Sequence, residues 1–356
     1  MIPRCERGEL SRGTGAMAVW AMLAALATGC CATQSADEGA RAGHAQAGPA
    51  APIEFVVLTA EEAALRLWPE PGPVAYTPPD PDQSEALAGL LRRMLAEPPT
   101  SPAALHGLAA RAGFTVQAWE VDGQRYLAAI EEETRRTGGG AYVVRVGAST
   151  SRPVILQAPH AFFDLGTERI ALDLMFAGRS WPRALFVNTV HRYLGADGQR
   201  RRQSASPADP CHSPQHLFAV ATAAALDVLP GAEVVQLHGF GDDSEETEDT
   251  ASAASVAQPQ AIVSGGRAAV ATPRSQAVAT RLREALGVDV ALFPTEIGRL
   301  GGTTNVQGRA ILARGAAEFV HIEMSRTLRE QLRRDPAARE RFAAALQPDP
   351  MPGTSP

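Results

Sequence analysis

Apolar positions along this chain follow two spacings, and the balance between them shifts near residue 153. Before that point, leucines at 87, 90, 91 and 95 mark one face of a helix over residues 84–95. Residues 103–112 read as a second helix, closed by Gly113. Residues 115–121 and 126–130 flank Asp122-Gly123, a dipeptide that two-residue hairpin turns favour because both central positions need positive φ. Residues 141–146 form a further strand after Gly138-Gly139-Gly140. Beyond it, apolar runs of strand length appear at 154–157, 184–187, 233–237, 261–263, 288–293 and 319–322. Helical patterns alternate with several of them, over 167–176, 214–228, 275–286 and 326–333, and a last helix spans 337–346. Strands that are apolar on both sides and alternate with helices predict an α/β fold with a largely parallel sheet covered on both faces.

This divides the chain into an α+β leading region over 53–152, an α/β domain over 153–347 and a Pro-rich tail over 348–356. Ahead of these, Arg4, Arg7 and Arg12 precede an apolar stretch over 16–27 that is too short to span a bilayer. Ala27-Thr28-Gly29-Cys30 then resembles the lipobox of bacterial lipoproteins, whose cysteine is lipidated, although Leu26 stands one place earlier than usual. Residues 1–30 are therefore expected to be a secretion signal ending at Cys30. Residues 31–52, rich in Ala, Gly, Gln and Ser, are expected to be a flexible tether. The expected location is the cell envelope, as a periplasmic or outer-membrane lipoprotein held to the membrane by its lipid.

Composition removes several chemistries. The chain has no lysine, which excludes Schiff-base enzymes and P-loops that need a phosphate-binding lysine. The HExxH, GxSxG and GxGxxG patterns are absent too, so no nucleotide cofactor is expected. The formal charge is −6, and six acids fall in the run 242–249, a solvated loop by this reading. Without a basic stripe and interleaved aromatics, no nucleic-acid partner is expected. Of the four cysteines only Cys211 lies in the body, so no disulfide framework holds the fold.

In sheets of this kind ligands bind at the carboxyl ends of the strands. His160 follows the run 154–157, with Asp164 four residues on; His238 follows 233–237; Glu323 follows 319–322. Two histidines and one carboxylate with an open fourth position are the usual catalytic zinc set, and a further carboxylate can act as general base. A histidine after a strand is also commonly just a hydrogen-bonded core residue, so each position alone says little. Arg192, after the run 184–187, offers a fork suited to a carboxylate or a developing oxyanion. Asn305, Gln307 and Arg309 are candidate pocket residues. Ser213-Pro214 reads as the cap and first residue of the following helix, which leaves His212 on its loop, within reach of the pocket.

Three motifs in order carry a likeness: Ala158-Pro159-His160-Ala161-Phe162-Phe163-Asp164-Leu165-Gly166-Thr167, then Gln236-Leu237-His238-Gly239-Phe240, then Val320-His321-Ile322-Glu323-Met324-Ser325-Arg326. Together they resemble the N-formylglutamate amidohydrolase-like branch of the zinc carboxypeptidase superfamily over about residues 153–332. The resemblance implies a three-layer α/β/α sandwich with a mostly parallel mixed sheet and one zinc. It implies His160 and His238 as ligands, Asp164 as the carboxylate ligand with Glu168 as the alternative, and Glu323 as general base. Phe163 stands where that family's usual carboxylate ligand, three residues after the histidine, would be. A substrate bearing a carboxylate is implied as well. The expected activity is zinc-dependent hydrolysis of an amide or peptide bond in a small molecule or peptide; the alternative is a non-catalytic envelope lipoprotein that uses the fold for binding.

If Cys30 is the lipidated residue, Cys30→Ala should abolish labelling by a radioactive or clickable fatty acid and release the protein from the membrane fraction. Labelling that survives the substitution removes Cys30 from that role.

Overall fold

The computed structural model describes residues 53–68, 72–97, 99–147, 152–177, 181–202, 206–241, 258–315 and 317–348. The expected signal over 1–30 with Cys30, the tether over 31–52, the acidic run 242–249 and residues 349–356 of the tail lie outside them. No helix among the described residues is long and apolar enough to cross a membrane.

The elements run β1 (Val56–Leu58), α1 (Ala60–Leu67), α2 (Pro81–Leu95), α3 (Pro102–Ala112), β2 (Phe114–Val121), β3 (Gln124–Glu131), β4 (Ala141–Arg145), β5 (Val154–Ala158), α4 (Thr167–Phe176), β6 (Pro182–Val187), α5 (Leu217–Val228), β7 (Glu233–Phe240), β8 (Ala261–Ser264), α6 (Pro273–Leu286), β9 (Val290–Leu292), α7 (Val306–Arg314), β10 (Glu318–Ser325), α8 (Arg326–Arg334) and α9 (Pro336–Leu346). All ten strands join one sheet in the order β1-β2-β3-β4-β6-β5-β7-β10-β8-β9. Its centre, β6-β5-β7-β10, is parallel, while β2-β3-β4-β6 and β10-β8 are antiparallel pairings. β4 pairs directly with β6, so the segment before residue 153 extends the same sheet as the segment after it.

Helices cover both faces. One core packs α1, α4, α6, α8 and α9 against side chains such as Leu156, Val235, Leu237, Val320 and Ile322. The other packs α2, α3, α5 and α7 against Ile155, Val234 and Phe319. This is the α/β/α arrangement, with each central strand sending alternate residues to opposite cores.

Local chemistry sets many boundaries. α2 starts with a capping box in which Gln83 N donates to Asp80 Oδ1 and Asp80 N donates to Gln83 Oε1, with Pro81 in the first turn. Gly113 closes α3 in the left-handed region. Asp122 and Gly123, at φ 48° and 71°, make the hairpin turn between β2 and β3.

Two expectations need correction, and three elements had not been expected. β7 and β10 continue to Phe240 and Ser325, so His238 and Glu323 sit within strands rather than after them. The apolar run stops earlier because only one face stays apolar, while the ladder continues. α5 begins at Leu217, capped by His216, whose ring accepts from Phe218 N, and not at Ser213-Pro214. Residues 306–314, which include Gln307 and Arg309, form α7, capped by Asn305. β1 and α1 also lacked a sequence signal; α1 is an eight-residue helix held by the Thr59/Glu62 capping box.

At the opposite end of β7 from His238, buried Glu233 accepts two 2.8 Å bonds from Arg274 at the start of α6, and Arg274 also donates to Leu346 O at the end of α9. Removing one partner of such a buried pair strands the other charge and costs about 3–5 kcal/mol. Arg274→Met is expected to lower the unfolding free energy by about that amount in urea titrations, and Glu233→Gln/Arg274→Met to recover part of it. A single variant as stable as the wild type would show that the pair is dispensable.

Candidate metal centre

The site lies where β5, β7 and β10 reach their carboxyl ends. On one face these strands turn from apolar to polar toward that edge. In β5, Ile155 gives way to Gln157; in β7, Val234 gives way to Gln236 and His238; in β10, Phe319 gives way to His321 and Glu323. The parallel register sets Glu323 beside His238 and His321 beside Gln236. His160 follows β5 in a tight turn: Phe163 N and Asp164 N each donate to His160 O at 2.7 Å. That turn folds Asp164 back onto the imidazole and accounts for the four-residue spacing.

Three donor atoms converge. His160 Nδ1 and His238 Nδ1 are 3.2 Å apart, His238 Nδ1 is 3.2 Å from Asp164 Oδ2, and His160 Nδ1 is 3.4 Å from the same oxygen. Ligand atoms about 2.0–2.2 Å from a tetrahedral ion lie roughly 3.3–3.6 Å from one another, so the spacing fits one metal. All three residues are no more than 4 % exposed.

The outer nitrogens decide the tautomers. His160 Nε2 lies 3.0 Å from Asp209 Oδ1 and donates to it. His238 Nε2 donates to Gln236 Oε1 at 3.1 Å. Gln236 is fixed in turn: its Oε1 also accepts from Asn305 Nδ2 at 2.7 Å, and its Nε2 donates to Gln157 Oε1 at 2.8 Å. Gln157 Nε2 donates to Thr222 Oγ1 on α5. With both Nε2 atoms committed, both Nδ1 atoms are turned toward Asp164, the orientation that metal-binding histidines need.

Further donors surround this set. Cys211 Sγ is 4.0 Å from His238 Nε2, on the outer edge of that ring, and Cys211 belongs with His160 and His238 to one group of possible ligands. His238, His321 and Glu323 form another.

Electrostatics follow from burial among charges. Asp164 is held well below the usual carboxylate range: burial opposes this, but both imidazoles outweigh it. His238 is pushed up to about 9, because Asp164, Cys211 and Glu323 overcome the cost of burying its charge. Burial raises Glu323 to about 7, against His238 and with Asp164. His321 is driven well below the ordinary histidine range by burial, with His238 and His160 adding to it.

Above these groups opens a cavity of about 540 Å³, lined by His160, Asp164, His238, Glu323, Arg192, His212, Asn305 and the loop 299–304, among others. The Arg192 guanidinium lies 5.3 Å from the Phe163 ring and 5.1 Å from the Tyr193 ring, pairs with Asp209 Oδ2, and brings Nη1 to 3.3 Å from His160 Nδ1. Of the three polar residues at 305, 307 and 309, Asn305 lines the cavity; Gln307 is buried and donates to Pro210 O, and Arg309 is exposed on α7. Glu168 accepts from Gly166 N at the head of α4 and does not line the cavity.

Asp209, Cys211, Gln236 and His321 carried no assignment in the sequence reading. His321 and Gln236 were within its reach, since each lies two residues from a candidate on the same strand face. Asp209 lies on a long loop, where no periodicity marks a residue.

No family profile matches the chain, and no curated protein matches it. Among solved structures, it is similar to a bacteriophage poly-gamma-glutamate hydrolase, at 14% identity over 56% of this chain and 83% of that one, with TM-score 0.34. It is similar to an N-formylglutamate amidohydrolase from Ralstonia eutropha JMP134, at 14% identity over 58% and 95%, with TM-score 0.36. It is also similar to a metallo-carboxypeptidase from Burkholderia cenocepacia, at 15% identity over 58% and 60%, with TM-score 0.34.

Proposed function

We propose that this chain is an exported, zinc-dependent hydrolase of an amide or peptide bond in a small molecule or peptide bearing a carboxylate. The observation that carries this is the convergence of His160 Nδ1, His238 Nδ1 and Asp164 Oδ2 at 3.2–3.4 Å on the floor of a cavity that Glu323 also lines. These three residues would hold the ion. A zinc ion bound there would supply Lewis acidity toward the scissile carbonyl and a water.

The chain's own residues supply the rest. Glu323, raised to about 7, exchanges a proton near neutral pH and takes one from the attacking water. Arg192, set between two aromatic rings and anchored on Asp209, presents its remaining donors to a substrate carboxylate or to the oxygen where charge develops. Export and the membrane anchor rest on the pattern of residues 1–30 and place the activity in the cell envelope. The position of Arg192 Nη1, 3.3 Å from His160 Nδ1, sets a cation against a metal ligand. It favours a second reading, a non-catalytic envelope lipoprotein that binds a ligand in this cavity.

Metal analysis separates the two. Protein purified without chelator is expected to carry about one zinc per chain, and His238→Ala to lose it. A metal-free wild type supports the binding protein instead, and full occupancy in His238→Ala removes that histidine from the set. Glu323→Gln preserves shape but cannot accept a proton. It is expected to fold, keep its metal and lose amide hydrolysis by about a hundredfold or more, measured as kcat on N-acyl amino acids. Full activity with metal retained would rule out Glu323 as the base.

A further inference from the structure

The cavity over the metal cluster does not end at the strand edge. A second recess of about 350 Å³ adjoins it, and Phe163, Asp164, Gly239, Phe240 and Gly241 line both. The two belong to opposite faces of the sheet. His238 and Glu323 alternate with the same parity as Val234 and Phe319, so they face α5 and α7, and the first cavity opens on that side beside His212 and the loop 299–304. The recess is walled by Arg326, Arg329, Glu330 and Arg333 of α8, which packs into the other core through Leu328 and Leu332. Asp164 and the end of β7 are thus the saddle of one groove that crosses the carboxyl edge of the sheet.

Both arms of the groove are rigidly built, and both carry positive charge. On the α5/α7 side, Arg202 and Arg299 line the wall and make no hydrogen bond or ion pair among the described residues. The loop that presents Arg299 is fixed: Ser264 Oγ donates to Gly301 O at 2.7 Å and accepts from Gly266 N at 2.9 Å, and Leu300 is held at φ 57°, a strained conformation for a residue with a side chain. On the α8 side, Arg329 donates to Leu165 O, Phe240 O and Met324 O, and it lies so close to Gly239 that a Cβ there would meet its guanidinium. Glu330 is paired with Arg326 at 3.1 Å and Arg334 at 3.8 Å. Arg333 makes no hydrogen bond or ion pair among the described residues, although it lies near enough to Glu168 to favour that carboxylate's charge. Outside the metal cluster and its neighbour Glu323, Glu330 is the one carboxylate lining the groove among the described residues.

We propose that the groove takes an oligomer of acidic amino acids across the sheet edge and cuts it internally, with substrate carboxylates on both sides of the scissile bond. This rests on the hydrolase reading above and narrows it. A single N-acyl amino acid would fill one arm and leave the other to solvent. An oligomer lying over Asp164 reaches Arg202 and Arg299 with one end and Arg333 with the other, and an arginine fork suits each carboxylate it meets. The reaction is the same hydrolysis: the C–N bond breaks, the water oxygen joins the carbonyl carbon, and the proton that Glu323 takes from the water is available to the departing nitrogen. The arms add position, because charge contacts on both sides hold the bond over the cluster without a chain end being recognised.

The test uses substrates without free ends. Zinc-loaded protein is assayed on glutamate octamers acetylated at the amino end and amidated at the carboxyl end, linked through the α- or the γ-carboxyl, beside blocked glutamine octamers and single N-acetyl amino acids. Mass spectrometry of the products is expected to show internal fragments from a glutamate series, with kcat/KM at least about tenfold above that for the glutamine octamer, the scale of one lost bond to a charged group. Arg333→Gln is expected to raise KM on the cleaved octamer by about tenfold with little change in kcat, and Arg333→Lys, which keeps the charge, to retain most of the affinity. Turnover of N-acetyl amino acids with every blocked octamer left intact overturns the inference and leaves the hydrolase reading standing. Equal cleavage of glutamate and glutamine octamers, or an unchanged KM in Arg333→Gln, overturns the part given to charge on the α8 side. A wild type that turns over nothing in the panel overturns both readings.

Discussion

Two imidazole nitrogens and a carboxylate oxygen held 3.2–3.4 Å from one another are the constraint on which this structure depends. Each Nδ1 is turned into the cluster because the opposite Nε2 is committed, to Asp209 for His160 and to Gln236 for His238. Those acceptors are held by partners of their own. Gln236 is the middle of a buried amide chain that runs through Gln157 to Thr222 on α5 and through Asn305 to the cap of α7. Asp209 gathers His160, Arg192, His212 and Cys211 N around one carboxylate. The floor of the cavity is therefore built from helices as much as from strands.

This arrangement requires the sheet to be asymmetric. Toward α4, α6, α8 and α9, the central strands stay apolar to their ends, with Ala158, Leu237, Ile322 and Met324 all buried in one core. Toward α5 and α7 the same strands carry Gln157, Gln236, His238, His321 and Glu323. Burying so many polar groups is tolerable only when each finds a partner, because an unpaired one costs about 1–3 kcal/mol. The amide chain meets that requirement along the strands. At its end the histidines and carboxylates concentrate charge, and burial, with Asp164 beside it, raises Glu323 to about 7 against the pull of His238.

Much of this was legible without coordinates. The strand-helix alternation gave the layered fold, and the residues near strand ends drew attention to His160, Asp164, His238 and Glu323. The exact strand limits were not, because a run of apolar residues ends where one face turns polar, while backbone pairing continues through His238 and Glu323. The polar alternation after Val234 and Phe319 is the signal that extends both strands. The helix over Val306–Arg314 escaped notice because its polar first turn resembles a loop; only its packing against α5 and β10 shows why it is helical. Arg309 was misjudged for the same reason, since the helix turns it outward.

The sequence by itself determined the layers and the edge of the sheet at which chemistry collects, while the pairing of β7 with β10 that sets Glu323 beside His238 came from the structure. The first two follow from periodicity, which is local. Tertiary structure alone decided which nitrogen of each histidine faces inward, that Asp164 rather than Glu168 completes the cluster, and that Asp209 joins His160 to His212 and Arg192. Those choices depend on hydrogen bonds between residues far apart in the chain, such as Asp209 and His160 or Asn305 and Gln236, and no spacing in a sequence records which distant loop closes over a strand end.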